Sequence, residues 1–284
     1  MTAATASVDH CTFFANDGFD GAGLLVARLP VAAAGATISN TLLVGNSSNP
    51  GGSGADLNGP IVSAGYNLFG DVVGSGLVAT DRTGVPAALF SLRDNGGPTR
   101  THVPHPQSLA IDGASPSSPL GVDQRGAVRT AGLADVGAVE ALGETIACAV
   151  VPNSIGAAPY IVATGDGSAA ANSVSLIVGD LPPGRFGYFL SGTLAGAIAN
   201  PGGSAGVQCI TGIVGRLNRS TLGEVRAADA RGTIEVTLDL TRLATPTGTE
   251  AILAGDTRLF QLWYRDGITT PSSNFSEALQ VTFR

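Results

Sequence analysis

The chain has 284 residues, of which 44 % are hydrophobic and only 13 % are charged, and its formal net charge is −7. An acidic chain without a basic patch argues against nucleic acid as a partner. All 15 basic residues are arginine, which excludes lysine-dependent catalysis such as Schiff-base formation. The sequence contains no run of about 18 apolar residues, so it predicts no transmembrane helix. With 40 glycines and few helix formers, the composition indicates an all-β fold.

The first predicted elements form a repeat in which residues 8–16 match residues 38–46. The matched pairs are Val8 with Ile38, Phe13 with Leu43 and Asn16 with Asn46. A repeat of this length is typical of stacked units, each of which buries its apolar face only against a neighbour. Asparagines at the same bend of successive units are expected to form a ladder of amide hydrogen bonds.

Residues 56–71 continue this pattern as a third, partial unit of short apolar segments separated by Gly and Asn. Short strands with frequent turns favour a parallel β-helix. Between residues 81 and 140, six prolines forbid regular strand pairing. We expect this segment to form the closing coils and a cap over the open end of the stack. The predicted domain is therefore residues 1–142.

The pattern of apolar and polar residues changes after residues 141–147, which we interpret as a linker. Near-alternation of apolar and polar residues then predicts strands, separated by turns rich in Pro and Gly. The seven predicted strands are 160–164, 173–178, 186–191, 207–217, 233–240, 258–265 and 275–283. Seven short strands in this length indicate that residues 146–284 form an immunoglobulin-like β-sandwich.

Five short motifs, four of them acidic, lie between residue 65 and residue 140. They are Gly65-Tyr66-Asn67-Leu68, Asp94-Asn95-Gly96-Gly97-Pro98-Thr99, Ala110-Ile111-Asp112, Asp123-Gln124-Arg125-Gly126 and Asp135-Val136-Gly137-Ala138-Val139-Glu140. Together they resemble the tail of the bacterial choice-of-anchor Q family. The resemblance implies a right-handed, pectate-lyase-type parallel β-helix on the bacterial surface, and it implies no established reaction.

The second half resembles a module found at the C-termini of other large bacterial exported proteins. The matching motifs are Leu181-Pro182-Pro183-Gly184, Phe186-Gly187-Tyr188-Phe189, Phe260-Gln261, Trp263-Tyr264-Arg265-Asp266 and Ser273-Asn274-Phe275-Ser276. The same two cysteine positions occur in that module, so the resemblance implies a disulfide between Cys148 and Cys209, in keeping with export. The first 30 residues show no signal peptide, and the sequence is already strand-like from residue 7. We therefore expect the chain to belong to a longer secreted protein.

The charged residues of the acidic motifs allow two interpretations. They are Asp112, Asp123, Arg125, Asp135 and Glu140. Two carboxylates could cleave a sugar chain by acid–base catalysis. Alternatively, Arg125 is the hub of a buried ion-pair network, for which the five donors of arginine are suited. The carboxylates stand next to Gly and small apolar residues, so we expect the structural network.

Three further aspartates are weak candidates for a calcium site. Asp56 lies in a glycine-rich stretch close to a calcium-binding nonapeptide, but only one copy is present. Asp17 and Asp20 lie in a similar short motif. We expect plain turns at both places, and the sequence predicts neither a metal nor a cofactor.

The aromatic residues near the end of the chain offer a weak sugar-binding candidate. Successive residues of a strand point to opposite faces, so at most one of Trp263 and Tyr264 lies in the core. We expect Trp263 to be the core residue and Tyr264 the exposed one.

Three functional hypotheses remain. The leading one is a non-enzymatic exported surface or extracellular protein, in which the solenoid is a spacer or an adhesion scaffold. The second is a polysaccharide lyase or glycoside hydrolase of the parallel β-helix type, with catalytic coils upstream or in the Asp-rich loops. The third is a carbohydrate-binding module resting on Tyr264. Each predicts an extracellular or cell-surface location and polysaccharide or cell-surface components as partners.

Overall fold

A computed structural model describes residues 5–29, 32–33, 35–118, 121–129, 134–267 and 272–284. The chain divides into two compact units, Met1–Ala141 and Leu142–Arg284. Within the described ranges the regular structure is β-strand, apart from the short 3₁₀ turns Pro201–Gly203 and Ser220–Leu222. The fold is therefore all-β, as the composition predicts.

The strands of the first unit are short. They are β1 Thr5–Asp9, β2 Thr12–Phe14, β3 Asp17–Gly18, β4 Leu24–Leu25, β5 Arg28–Leu29, β6 Ala32–Ala33, β7 Gly35–Ser39, β8 Leu42–Val44, β9 Ser47–Ser48, β10 Leu57–Pro60, β11 Val62–Gly65, β12 Leu68–Phe69 and β13 Val72–Ser75. Frequent glycines and polar bends end each strand after a few residues.

The strands of the second unit are longer. They are β14 Glu144–Ile146, β15 Ile161–Thr164, β16 Ser175–Val178, β17 Phe186–Gly192, β18 Leu194–Ala199, β19 Val207–Thr211, β20 Gly215–Leu217, β21 Arg226–Ala227, β22 Ile234–Thr237, β23 Leu243–Thr245, β24 Gly248–Glu250, β25 Thr257–Asp266 and β26 Ser272–Thr282.

The first unit is built from parallel stacks in which successive passes of the chain lie side by side. Three stacks have three strands each, in the orders β1-β7-β11, β2-β8-β12 and β4-β10-β13. The register pairs Val8 with Ile38 and Phe13 with Leu43. The predicted spacing of 30 residues is therefore confirmed for the first two passes. The third pass is shorter, because Leu42 pairs with Leu68.

Alternation along β8 produces two apolar clusters in the first unit. Leu43 packs with Ile38, Leu57 and Phe69 in an inner cluster. Leu42 and Val44 point the other way and pack in a second cluster. Their partners in that cluster come from the proline-rich segment and include Val85, Ala110, Ala114, Ala134 and Val136. Both faces of β8 are thus buried, which its continuous apolar sequence favours.

The position of the proline-rich segment corrects the prediction of a cap at the open end of the stack. Residues 82–85 do pair with the last strand, β12, through backbone hydrogen bonds to Phe69. Later residues reach back instead to the first two passes: the Gly137 N–H donates to the Asn40 carbonyl, and the Ala138 N–H donates to the Thr12 hydroxyl. The segment covers the outward face of the β2-β8-β12 stack, because Leu42 and Val44 leave that face apolar.

A ladder of polar side chains crosses the stack at one bend. The Asn16 side-chain amide donates to Asn46 Oδ1 at 2.9 Å, and the Asn46 amide donates to Asp56 Oδ1 at 2.6 Å. The predicted asparagine ladder is therefore confirmed, and Asp56 extends it. The Asn46 side chain is buried, so each of these bonds satisfies a group that water does not reach.

In the second unit two antiparallel sheets share one core, and the pairs β18-β19 and β23-β24 form two further small sheets. The larger sheet has the order β14-β26-β25-β17-β20, with β21 also paired to β17, and the smaller has the order β15-β16-β22. Side chains from both sheets meet in a single cluster. Its largest members include Ile161, Leu176, Phe189, Phe260, Leu262, Tyr264 and Phe283.

The seven strands predicted for the second unit correspond to observed strands, but one of them is divided, and β14, β21, β23 and β24 were not predicted. The predicted strand 207–217 is divided into β19 and β20. The predictions also missed β18, which pairs with β19 as a hairpin. Its sequence Leu-Ala-Gly-Ala-Ile-Ala shows no alternation, and the whole strand is exposed. A strand without a buried face carries no periodic signal.

Replacing Asn46 by alanine tests the ladder. Asn46→Ala leaves the buried Asp56 carboxylate and the Asn16 amide without a shared partner, so we expect a loss of about 2 kcal/mol in the free energy of unfolding of the first unit. Asn16→Ala, at the exposed end of the same ladder, is the matched control and should cost much less. Urea denaturation of both variants measures the difference, and equal losses would contradict the account.

Candidate functional site

The acidic motifs converge on a buried network centred on Asp123. Its Oδ2 accepts from Arg125 Nε at 2.8 Å and from the Glu140 N–H at 3.0 Å. Its Oδ1 accepts the backbone N–H groups of Arg125 and Ala127. The Arg125 and Asp123 side chains are 1 % and 0 % exposed. The Arg125 guanidinium also donates to the Glu140 carbonyl.

A second arginine, Arg129, completes the network and was missed by the sequence analysis. Its Nη1 lies 3.2 Å from Glu140 Oε2, and its Nη2 donates to the Gly137 carbonyl at 2.7 Å. The sequence carries no apolar alternation that marks Arg129, because Arg125, Ala127 and Arg129 are buried while the apolar Val128 is exposed. Only the folded chain shows that the two arginines are on the buried side of this stretch, where a charge needs an ionic or hydrogen-bonding partner.

The remaining predicted members differ in their roles. The Asp135 carboxylate accepts backbone N–H groups from Asp112 at 2.8 Å and from Ala141 at 2.6 Å. Asp112 itself contributes its backbone to the network, while its side chain is exposed. The expectation that Asp112 is a buried carboxylate is therefore wrong. Its backbone has a φ of 53°, a conformation that aspartate tolerates in tight turns.

Two glycines of the acidic motifs allow the network to close. Gly97 has a φ of +78°, and a Cβ there would lie 2.6 Å from the Arg125 Cα. Gly137 has a φ of +98°, and a Cβ there would lie 2.6 Å from the Thr12 hydroxyl oxygen. Both positions require glycine because the backbone conformation and the close approach each exclude a side chain. The glycines of these motifs serve packing.

Burial sets the protonation of Asp135. Desolvation raises its pKa from 3.8 to about 7, and the nearby Glu140 carboxylate adds to the increase. A raised pKa in a carboxylate can mark a general acid, provided that the group faces a substrate. Asp135 is buried among backbone donors, so its surroundings are those of a structural group.

The candidate calcium ligands accept hydrogen bonds from residues 10 to 33 positions away in the sequence. Asp17 accepts from the Ser47 hydroxyl, and Asp20 accepts from the Ser53 N–H at 2.9 Å. Asp56 is buried and accepts from Asn46 and from the Asp71 N–H. In the described residues, no three His, Cys, Asp or Glu side chains gather where they could hold a metal ion.

A serine, a histidine and an aspartate form a hydrogen-bonded chain at the first bend of the first unit. Asp9 Oδ1 lies 3.1 Å from His10 Nδ1, and His10 Nε2 lies 3.2 Å from the Ser118 hydroxyl. Desolvation lowers the pKa of His10, which keeps the ring neutral. The imidazole is only 1 % exposed, and the Ser118 N–H already donates to the Ser115 carbonyl. These hydrogen bonds connect the first pass of the polypeptide, at Asp9 and His10, to Ser118 of the proline-rich segment.

The second unit carries the disulfide that the resemblance implies. Cys148 and Cys209 are bonded, with a sequence separation of 61 and 6.1 Å between their Cα atoms. Cys209 belongs to β19, and the Cys209 N–H donates to Gln261 Oε1 of β25 at 2.8 Å. Gln261 is fully buried and also donates to the Val207 carbonyl. The disulfide and Gln261 together hold the β18–β19 hairpin against the larger sheet.

The placement of the aromatic pair reverses the prediction. Tyr264 is fully buried in the core between the two sheets, and Trp263 is half-buried on the opposite face. The expectation that Tyr264 is an exposed sugar-binding residue is therefore wrong. Alternation in β25 puts Tyr264 on the same face as Phe260 and Leu262, and this face meets the smaller sheet.

The face of β25 that bears Trp263 forms one wall of a groove of about 780 Å³. The groove lies in the second unit, next to the β18–β19 hairpin. The residues that give it chemical character are Tyr188, Trp263, Arg216, Arg265, Gln208 and Asn218. Tyr188 packs against Trp263 with ring centroids 4.9 Å apart, and the Arg265 guanidinium lies 5.1 Å from the Trp263 centroid.

The groove is positively charged although the chain as a whole is acidic. Among the described residues, its lining contains two arginines and neither aspartate nor glutamate. Aromatic side chains, amides and arginines in one concave surface are the usual composition of a ligand-binding site. This groove is the candidate functional site, and the sequence analysis missed it because its residues come from separate strands.

Arg125→Ala tests whether the acidic network is structural. Removing the guanidinium leaves the Asp123 carboxylate buried without its ion pair, so we expect the first unit to lose about 3–5 kcal/mol of stability. Arg100→Ala removes an exposed arginine from the same unit and serves as the control. Thermal and urea unfolding measure both variants. An unchanged midpoint in Arg125→Ala would refute the structural assignment.

Asp135→Asn tests the raised pKa. The pKa of Asp135 is about 7 in the folded chain and 3.8 when unperturbed, so the folded state binds the extra proton between these values. The free energy of unfolding should then fall as pH rises from about 4 to 7, by up to roughly 4 kcal/mol. Asp135→Asn should remove this dependence relative to the native chain in urea titrations across that range. Parallel pH profiles for the two proteins would contradict it.

Comparisons with known proteins give no relative from which a function of the groove or of the network could be inferred. No family model matches the chain, and no curated protein and no solved structure matches it either. No helix in the part of the chain that the structure describes is long and apolar enough to cross a bilayer.

Proposed function

We propose that this chain is a non-enzymatic, exported bacterial surface or extracellular protein that acts as a spacer or adhesion scaffold. In this proposal residues 1–142 are the last coils of a right-handed parallel β-helix of the choice-of-anchor Q type. Residues 146–284 are an immunoglobulin-like β-sandwich. The parallel stacks with a 30-residue register support the first assignment, and the two antiparallel sheets around one core support the second.

The observation that carries the proposal is the use of the buried carboxylates. Asp123, Asp135 and Glu140 accept hydrogen bonds from backbone N–H groups and from the two arginines. A glycosidase needs two carboxyl groups that flank a bond of the substrate. Carboxylates that are almost fully buried and already serve as acceptors stabilise the fold and do not reach a sugar chain.

The disulfide supports export. Disulfides form and persist in oxidising compartments outside the cytosol. The bond between Cys148 and Cys209 also holds the hairpin that walls the groove, so the candidate site depends on oxidation.

A second function, carbohydrate binding, is favoured by the groove itself. Tyr188 and Trp263 give the groove an aromatic wall, and Asn218 offers its amide to sugar hydroxyls. Gln208 adds its amide oxygen, while its Nε2 donates to the Ile210 carbonyl at 2.9 Å. Concave sites with apolar walls and a few placed polar groups are typical of small-ligand binding. A scaffold that binds a surface polysaccharide through its second unit combines the two functions.

Incubation with polysaccharides tests the proposal. The oxidised chain is mixed with neutral and acidic plant and bacterial polysaccharides, and the products are followed by reducing-end assay and by absorbance of unsaturated sugars. We expect no cleavage, together with retention of the chain on at least one of the polymers in affinity electrophoresis. Cleavage that disappears in Asp123→Asn would overturn the non-enzymatic proposal and assign the acidic network to catalysis.

A further inference from the structure

The groove has an arrangement of charge that specifies its ligand more narrowly than sugar alone. Three neighbouring strands of the larger sheet supply the central residues: β20 supplies Arg216, β17 supplies Tyr188, and β25 supplies Trp263 and Arg265. Tyr188 lies directly opposite Trp263 in the register. Alternation places Trp263 and Arg265 on the same face of β25, opposite the buried Tyr264.

Arg265 is held in place by an aromatic side chain and not by a carboxylate. Its guanidinium stacks over Trp263, which in turn packs on Tyr188. Neither Arg265 nor Arg216 forms an ion pair with any described residue, whereas Arg219, Arg242 and Arg258 of the same unit do. A guanidinium that is oriented by stacking retains its donors for a ligand, and its fork geometry matches a carboxylate.

The separation of the two arginines indicates an extended ligand. Arg216 is opposite Leu190, and Leu190 is opposite Gln261, four residues before Arg265. Two strand spacings across the sheet and four residues along it place the two Cα atoms roughly 16 Å apart. At this separation each guanidinium can pair with a different carboxylate of one ligand, which suits a chain with repeated carboxylates.

We propose that the groove binds an acidic oligosaccharide, a chain of uronate residues whose carboxylates pair with Arg216 and Arg265. This inference rests on the proposed carbohydrate-binding function and names the substrate class of that same site. The aromatic wall contacts the apolar faces of the sugar rings, and the amides of Gln208 and Asn218 face the hydroxyl groups. The absence of aspartate and glutamate from the lining removes the repulsion that the acidic chain would otherwise exert on a polyanion.

Calorimetric titration of the full, oxidised chain tests the inference. The probes are tetramers of galacturonate, mannuronate and guluronate, the methyl-esterified galacturonate tetramer, and a neutral tetramer of glucose. We expect at least one uronate tetramer to bind roughly tenfold or more tightly than the esterified and neutral tetramers. Binding should weaken with added salt, because an ion-paired contact is screened.

Matched variants assign the binding to the groove. Arg216→Gln and Arg265→Gln should each weaken uronate binding roughly tenfold. Arg231→Gln removes an equally exposed arginine outside the groove and should leave the affinity unchanged. Thermal unfolding of all three variants confirms that the fold is intact. Native affinity in both groove variants would overturn the inference.

Two further outcomes separate this inference from the proposed function. Equal affinity for the neutral and uronate tetramers, lost in Trp263→Leu but not in Arg216→Gln, would keep carbohydrate binding and overturn the acidic ligand. Binding of inorganic sulfate or of a tetramer of glutamate as tightly as the uronate tetramers would also overturn it, since a sugar would then not be recognised. Tight uronate binding without cleavage supports both.

Discussion

The first unit depends on the satisfaction of buried backbone N–H groups at its bends. Each pass of the chain turns after a few residues, and the groups exposed at a bend cannot reach water once the next pass is stacked on it. Polar side chains of the following pass provide the acceptors. The Cys11 N–H donates to the Thr41 hydroxyl, the Thr41 N–H to Asn67 Oδ1, and the Asn67 N–H to Asp81 Oδ1. This series of hydrogen bonds runs through the stack in addition to the asparagine ladder.

The same constraint accounts for the hydrogen bonds of the acidic motifs. The described residues between 110 and 141 run irregularly over an apolar sheet face, so many of their N–H groups have no strand partner. Asp123 and Asp135 accept several of these groups, and Arg125 and Arg129 neutralise the buried charge and bind carbonyl oxygens. Carboxylates that are occupied in this way hold a loop in place. A catalytic interpretation would require them to give up the partners that stabilise the unit.

In the second unit, the residues of the candidate site lie on the outer face of the larger sheet, opposite the core. The inward face of β25 is filled by Phe260, Leu262 and Tyr264, which fix the strand against the smaller sheet. The outward face then presents Trp263 and Arg265 at positions set by that packing. The hairpin pinned by Cys148–Cys209 and Gln261 encloses this face as a groove. Sites built on packed strands hold their side chains more firmly than sites on free loops.

The all-β class, the 30-residue spacing and the asparagine ladder could be predicted from the sequence by itself, because they follow from local composition and from residues at fixed offsets. The resemblance also supplied the pairing of Cys148 with Cys209. Other features were decided only by the tertiary structure. Alternation states that Trp263 and Tyr264 face opposite ways, but which face is buried depends on where the second sheet lies. The side on which the described residues between 110 and 138 pack and the joining of Arg216 with Arg265 in one groove depend likewise on contacts between segments that are distant in sequence.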